Sequence, residues 1–170
     1  MTSAAPPPWQ AHTSPAYDAA MQLACDALLR DIIGQPALRR EILSDPRALH
    51  RRLFSDFAPG GYPEYAGSYR GETGTTLAGR RMSSASERSP DEEYEFVAPK
   101  EVVSRMGFLL KTVADLVDDD LPDDYGRLIA LAYAFCWLGK IHPFLDGNGH
   151  VQRAIFAAMA TEFGFALSPR

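Results

Sequence analysis

The sequence predicts an all-α domain that one long irregular segment interrupts. Apolar residues recur at helical spacing before residue 58 and again after residue 98. Between these two regions, residues 58–95 are rich in Gly, Ser, Thr and charged side chains and show no such spacing. So long a segment without helix inside a small domain is usually a functional or mobile loop. We therefore expect a helical bundle with a polar insertion.

Three helices are predicted before the insertion. The first covers residues 16–33 and is ended by Gly34, and a short second helix covers residues 36–43. Ser44 or Asp45 can cap the third helix, because Pro46 suits a first helical position. That helix extends to about residue 57. The apolar face of the first helix consists of Met21, Ala24, Cys25, Leu28, Leu29 and Ile32.

The insertion itself has little capacity to form a core. Short extended pieces are expected at residues 68–70 and 94–97. Residues 83–90 have the composition of a disordered segment, with few apolar and many small or charged residues.

Three more helices are predicted after the insertion. One begins at Pro99 and is broken by Leu121 and Pro122. The next begins at Asp123 or Asp124 and ends near residue 141. Because residues 128–141 are apolar nearly all round, this helix is predicted to be central and buried. The last helix ends at Gly164, and its apolar residues fall at helical spacing: Val151, Ala154, Ile155, Ala158, Met159 and Phe163.

Length and charge exclude several classes of function. The 170 residues suit one domain, and the net charge of −5 gives no general attraction to nucleic acid or acidic lipid. The longest apolar run, residues 128–138, is shorter than the roughly 18 residues that a membrane span needs. We therefore expect neither nucleic acid nor a membrane as a partner.

Two features of the sequence bear on where in the cell the protein is located: its cysteines and its N-terminus. Cys25 and Cys136 lie in apolar helical patterns, which predicts buried free thiols and a reducing compartment. Residues 1–15 contain no Lys or Arg and no apolar core, so they are not a targeting peptide. They are predicted to be a flexible Pro-rich lead-in to a single domain at 16–170. The expected location is the cytoplasm, with delivery into a host cell as an effector as the alternative.

The segment HPFLDGNGHVQR, residues 142–153, concentrates polar chemistry between two apolar helices. Pro143, Gly147 and Gly149 prevent a continuous helix there. The helix that follows directs its N-terminal N–H groups and its positive dipole end at this loop, which makes an anion site. Arg153, expected in the first turn, adds a permanent charge with a bidentate fork. Phosphate is the anion that suits this combination.

Two further side chains add a metal and a base. Asp146 lies beside the predicted phosphate site, and two anions repel unless a cation separates them, so Mg²⁺ is implied. His142 ends the preceding helix and can be a neutral base near pH 7. Together these groups suit phosphoryl-type transfer to a hydroxyl.

Each of these residues also has a purely structural interpretation. His142 could cap the preceding helix, Asp146 could serve a turn, and Arg153 could pair with a surface carboxylate. His142, Asp146 and His150 are spaced like metal ligands on a helix, but Gly147 and Gly149 break the helix that such a site needs. All the structural interpretations must hold together to explain the cluster, which favours a functional site.

At these residues the chain resembles the Fic (filamentation induced by cAMP) domain family, whose motif is His-Pro-Phe-x-Asp/Glu-Gly-Asn-Gly-Arg-x-x-Arg. The segment matches at every fixed position but one. The likeness extends over roughly residues 64–165. GSYR at 67–70 and FVAPKEVVSRM at 96–106 resemble the two ends of the family's target-docking hairpin, the flap, here at about 66–97. The resemblance implies a Fic-type helical bundle with a short β-hairpin flap inserted between helices.

The family typically transfers AMP from ATP to a Ser, Thr or Tyr hydroxyl of a target protein. By resemblance, His142 is the general base, Asp146 holds Mg²⁺ between the α- and β-phosphates, and Arg153 engages the distal phosphate. Gly147, Asn148 and Gly149 form the anion hole, with Asn148 on the α-phosphate. Phe144 seats the loop in the core. ATP is thus the expected substrate and Mg²⁺ the expected cofactor.

His150 is the departure, because the family usually has Arg there. A permanent cation is replaced by a group that is mostly neutral at pH 7 in isolation, although nearby phosphates would raise its pKa. The resemblance then implies weaker, pH-dependent nucleotide binding or a different donor.

Regulation is expected from outside the chain. Many relatives carry an inhibitory helix with Ser/Thr-x-x-x-Glu-Gly/Asn, whose Glu pairs with the last Arg of the motif. Ser68 to Glu72 and Ser83 to Glu87 match only in part and lie in the insertion. A small antitoxin that supplies the Glu in trans is therefore implied, which would make this chain the toxin half of a toxin–antitoxin pair.

Two alternatives to AMP transfer stay open. One is transfer of UMP, phosphate or phosphocholine on the same scaffold. The other is a helical interaction module without catalysis, in which His150 marks a decayed site. Removal of AMP is disfavoured, because in the family it depends on the inhibitory Glu.

Overall fold

The computed structural model describes residues 6–85, 93–119 and 121–167. Within these ranges the fold is all-α with a short β-hairpin, as the sequence predicts. The helices are α1 (Tyr17–Gly34), α2 (Pro36–Ser44), α3 (Arg47–Phe54), α4 (Pro99–Asp118), α5 (Asp124–Ile141) and α6 (Asn148–Glu162). The strands are β1 (Ser83–Ala85) and β2 (Glu93–Glu95), which pair antiparallel with Ser83 opposite Glu95.

Helix ends follow the local chemistry of the sequence. Pro36 and Pro99 are the first residues of α2 and α4, where the missing proline N–H is no loss. Asp123 caps α5, because its carboxylate accepts a hydrogen bond of 2.8 Å from the Gly126 N–H. The third predicted helix is shorter than expected: α3 ends at Phe54 and a 3₁₀ turn, Ser55–Phe57, completes it.

The central helix is α6, not α5. α6 packs against α1, α2 and α5, and eight of its residues are buried. α5 packs against α4 and α6 and buries one face, while Leu128, Ile129 and Phe135 are exposed. The prediction of a fully buried α5 is therefore wrong. An apolar sequence shows what a helix could bury, and only its neighbours decide which faces are covered.

Cys136, one of the two thiols that were predicted to be buried, lies in α5. Cys136 is exposed and Cys25 is half-buried, so the prediction of two buried thiols is wrong for Cys136. Neither forms a disulfide in the described part of the chain. Among the described residues, none of the helices has the length and apolar character needed to cross a membrane.

Residues 6–15, which were predicted to belong to a flexible lead-in, pack on the helical core in this structure. Trp9 is only 8% exposed, and its indole N–H donates to the Phe57 carbonyl at 2.8 Å. The Pro7 carbonyl accepts hydrogen bonds from Tyr65 Oη and from Arg80 Nη2. The buried indole and these hydrogen bonds hold residues 6–15 against the helical core.

The insertion also differs from its prediction. Residues 68–70 form no strand, because Tyr69 and Arg70 are both buried and the Arg70 N–H donates to the Pro143 carbonyl at 2.7 Å. The other expected piece overlaps β2 at residues 94–95. Of the stretch predicted to be disordered, residues 83–85 form β1, and residues 86–90 lie outside the described residues.

Candidate active site

The candidate site is the loop between α5 and α6. His142 ends α5 in the left-handed conformation, with φ of 51°, and Gly147 precedes α6 with φ of 74°. Pro143 follows His142 and cannot continue the helical hydrogen bonding. A Cβ atom at position 147 would lie 2.4 Å from the Phe54 ring. Both its conformation and this close approach therefore require glycine at 147.

A cavity of about 440 Å³ brings the predicted residues together. Seven of the eight predicted site residues line it: His142, Asp146, Gly147, Asn148, Gly149, His150 and Arg153. The exception is Phe144, which is fully buried and stacks on the His50 ring with centroids 3.8 Å apart. Phe144 therefore packs beneath the loop instead of lining the cavity.

His142 is held as a neutral imidazole. Its ring is half-buried and stacks on Phe96, with centroids 3.9 Å apart and an interplanar angle of 16°. Burial, together with the nearby charge of Arg70, lowers the pKa of His142 to about 4. Near pH 7 the imidazole is therefore neutral and keeps a lone pair that can accept a proton.

The N-terminus of α6 and Arg153 form the cationic side of the cavity. No side chain caps α6, and its first two residues, Asn148 and Gly149, line the cavity, where their N–H groups can bind an anion. The next N–H group, that of His150, donates to the Gly147 carbonyl at 3.0 Å. Arg153 lies in the second turn of α6 and not in the first, and its Nη1 comes within 3.5 Å of a Cβ built on Gly149. The side chain is exposed, and no carboxylate pairs with it in the described ranges.

Asp146 faces the cavity with a carboxylate that two N–H groups already contact. Oδ1 accepts from the Gly147 N–H at 2.6 Å, and Oδ2 accepts from the Ala11 N–H at 2.7 Å. His12 Nδ1 lies 3.9 Å from Oδ2. Within the described ranges no three His, Cys, Asp or Glu side chains form a metal-binding group. A single carboxylate fits Mg²⁺ that phosphates also hold, but not a resident all-protein metal site.

Asn148 uses its side chain to close the loop. Its amide Nδ2 donates to the Phe144 carbonyl at 2.8 Å, and its Oδ1 accepts from the Phe144 N–H at 2.9 Å. The side chain is buried. One N–H of the amide and its carbonyl oxygen therefore fasten the first residue of α6 to the backbone of Phe144.

His150 packs among aromatic rings. It meets Tyr17 edge-on, with centroids 6.3 Å apart, and Phe54 with centroids 5.7 Å apart. Burial is the first cause that lowers the pKa of His150, and the charge of Arg153 is the second. The neutral form consequently predominates at pH 7 in the absence of bound phosphate.

Several residues of the site carry no signal in the sequence. His50 is fully buried; its Nδ1 accepts from the Gly67 N–H at 2.9 Å, and its Nε2 lies 3.0 Å from the Asp146 carbonyl oxygen. The first contact leaves Nε2 as the protonated donor to Asp146. Trp9 and His12 line the cavity from the N-terminal segment. The sequence around His50, RALHRRLF, does not predict that this His contacts the loop. A single Trp in a Pro-rich stretch, by contrast, is a large apolar side chain that indicates packing against a core.

Comparison with known proteins gives one match. The model of the Fic/DOC family matches residues 42–160, which cover the end of α2 through most of α6 and include the whole loop. Neither the curated proteins nor the solved structures yield a significant match.

Proposed function

Because the chain belongs to the Fic/DOC family, whose members are generally transferases, we propose that it is a protein adenylyltransferase. The reaction would move AMP from ATP to a Ser, Thr or Tyr hydroxyl of a target protein and release pyrophosphate. One observation carries this proposal. A neutral imidazole, a carboxylate and an uncapped helix N-terminus with an Arg line a single cavity.

His142 is the proposed general base. Its neutral ring would accept the proton of the target hydroxyl as the hydroxyl oxygen attacks the α-phosphorus. The bond from that phosphorus to the bridging oxygen breaks, and the electron pair leaves with pyrophosphate. The stack on Phe96 would restrict rotation of the imidazole during this proton transfer.

The charge that develops on the phosphates would meet fixed donors. The N–H groups of Asn148 and Gly149, at the uncapped start of α6, would donate to these oxygens, and the helix fixes their orientation before the substrate arrives. Arg153 would engage the distal phosphate, as its exposed guanidinium allows. Asn148 supports this arrangement through the loop that it closes.

Mg²⁺ is the cofactor that the donor set suits, and when bound it would neutralise charge between the α- and β-phosphates. Asp146 is the residue that would hold it. Its Oδ2 accepts the Ala11 N–H, so the N-terminal segment shares the carboxylate with any cation.

A partner that supplies a Glu to Arg153 is proposed as the inhibitor. The support is that Arg153 is exposed and meets no carboxylate in the described part of the chain. Such a partner would be a small antitoxin, with this chain as the toxin.

Transfer of another group is the second candidate, and His150 favours it. The lowered pKa of His150 leaves Arg153 as the permanent cation of the loop. A donor with fewer distal phosphate charges than ATP, such as a nucleotide-linked phosphocholine, would need fewer cations. His150→Arg should then favour ATP over the competing donor.

The deciding experiment incubates the purified chain with Mg²⁺, α-labelled ATP and bacterial lysate, with His142→Ala in parallel. Label should appear on protein with the wild type and fall by roughly 10²–10⁴-fold with the variant. ATP binding should be retained by the variant, because the imidazole serves proton removal.

Competition with unlabelled UTP or with CDP-choline separates the two candidates. Labelling that neither compound suppresses supports ATP. If His142→Ala labels protein as strongly as the wild type does, His142 is not the base. If the wild type transfers no label when ATP, UTP or CDP-choline is each supplied as the labelled donor, the chain is not the proposed transferase.

A further inference from the structure

Arg70 is a fully buried guanidinium without a carboxylate partner in the described ranges. Instead it contacts four backbone carbonyls, here called the carbonyl cluster. Nε donates to His142 O at 2.8 Å, and Nη2 donates to Ile141 O at 2.9 Å and to Val97 O at 3.2 Å. Nη1 donates to Arg80 O at 3.1 Å. Every guanidinium nitrogen is thus used by backbone.

The four carbonyls of the cluster lie at the end of α5 and on both sides of the β1–β2 hairpin. Ile141 and His142 are the end of α5, where carbonyls lack partners inside the helix. Arg80 and Val97 flank the β1–β2 hairpin on its two sides. A single side chain therefore ties the last turn of α5 to both bases of the hairpin.

The end of α5 needs such a tie. His142 has φ of 51°, a conformation that is unfavourable for a residue with a Cβ atom, so surrounding contacts must hold it there. A cation at a helix C-terminus also satisfies the dipole and the exposed carbonyls. The Arg70 N–H adds a bond to Pro143 O at 2.7 Å, directly after His142.

The hairpin reaches the same histidine from its other side. Phe96, next to Val97, stacks on the His142 ring at 3.9 Å and donates its N–H to Met82 O at 3.1 Å. Arg70 and Phe96 thus hold the backbone and the ring of one residue.

We propose that Arg70 is a positioning residue that fixes the imidazole of His142 relative to both ends of the hairpin. The inference rests on the proposed function, because it assigns His142 as the base. It goes beyond that function by naming the side chain that sets the position of the base relative to the β1–β2 hairpin.

The test compares Arg70→Lys with Val113→Ala. Lysine keeps a positive charge but has no fork, so it cannot reach all four carbonyls. Val113 is buried in α4, about 20 Å along the helix from Pro99, and its truncation controls for general loss of stability. Urea unfolding measures that loss for both variants.

Three quantities are then followed in each variant: labelling rate with α-labelled ATP in lysate, ATP affinity with Mg²⁺, and amide hydrogen exchange. Arg70→Lys should lower the rate by roughly 10²-fold at unchanged ATP affinity, as expected for a misplaced base. Exchange should rise in residues 80–85, 93–97 and 138–144. Val113→Ala should show neither effect.

Wild-type rate and exchange in Arg70→Lys would overturn the proposal, as would losses no larger than those of an equally destabilised Val113→Ala. If wild-type protein transfers no label, the proposed function fails, but the exchange comparison still decides whether Arg70 ties these segments. Should Arg70→Lys not fold, Phe96→Leu tests the same coupling from the half-buried hairpin side, and a rate like that of the wild type would count against it.

Discussion

At the residue scale, three side chains of one motif meet three different environments. His142 stacks on Phe96 and is neutral, Asn148 closes the loop on Phe144, and His150 lies among aromatic rings. Their identity alone does not distinguish these roles. The contacts that do come from α1 and α3 for His150, from the residue after β2 for His142, and from the loop itself for Asn148.

Gly147→Ala should destabilise the protein by at least about 2 kcal/mol. The left-handed conformation disfavours a Cβ atom, and that atom would lie 2.4 Å from the Phe54 ring. Gly149→Ala is the matched control, because position 149 is helical and its Cβ would make an ordinary contact with Arg153. The control should be neutral or stabilising by about 0.5–1 kcal/mol. Urea unfolding measures both, and equal values would contradict the close approach of Phe54.

Asp146→Ala should weaken nucleotide binding in the presence of Mg²⁺ and make it indifferent to EDTA. The reason is that the carboxylate is the single acidic side chain lining the cavity among the described residues. Titration calorimetry with ATP, with Mg²⁺ or EDTA, measures the effect. Wild-type affinity that is the same in both buffers would exclude the metal.

At the element scale, the N-terminal segment is part of the site. It covers the aromatic cluster of α3 through Trp9 and contacts the Asp146 carboxylate through the Ala11 N–H. A short stretch before the first helix thereby contributes both to stability and to the electrostatics of the proposed metal position.

Trp9→Ala should cost about 3–5 kcal/mol of stability, the usual range for truncating a buried Trp. The indole is 8% exposed and packs edge-on against His50 and Phe54. Gln10→Ala, at an exposed neighbour, should stay within about 0.5 kcal/mol of the wild type. The two variants are compared by urea unfolding. A Trp9→Ala value near that of Gln10→Ala would show that the segment does not dock in solution.

At the scale of the whole molecule, a buried neutral histidine links stability to pH. His50 is fully buried between Phe54 and Phe144, and burial is the largest cause that lowers its pKa to about 4. In the unfolded chain the ordinary pKa is about 6.5. Below that pH the unfolded state binds a proton that the native state does not, so stability falls as pH drops towards 4.

From pH 7 to pH 4.5 this difference should remove about 2–3 kcal/mol of stability. His50→Gln, which does not titrate, should lose correspondingly less over the same interval, although its stability at pH 7 is lower. Urea unfolding at both pH values gives the comparison. An equal loss in wild type and variant would mean that His50 does not carry this dependence.

Much of the fold could be predicted because it depends on neighbours in sequence. The six helices of the described ranges begin and end within a few residues of their predicted limits, since Pro36, Pro99 and Asp123 act through their own backbone or side chain. The motif at 142–153 likewise identified seven residues that line the cavity and the family to which the chain belongs.

What the sequence by itself determined is therefore local: which stretches become helices, where they stop, and which loop concentrates a base, a carboxylate and an anion site. The tertiary structure alone decided that α6 and not α5 is central, and that Trp9 is buried. It also decided that Arg70 holds the end of α5. The physical reason is that periodicity records how apolar surface is distributed around one helix. Burial, pKa and hydrogen-bond partners depend instead on groups that lie far apart in the chain and meet only on folding.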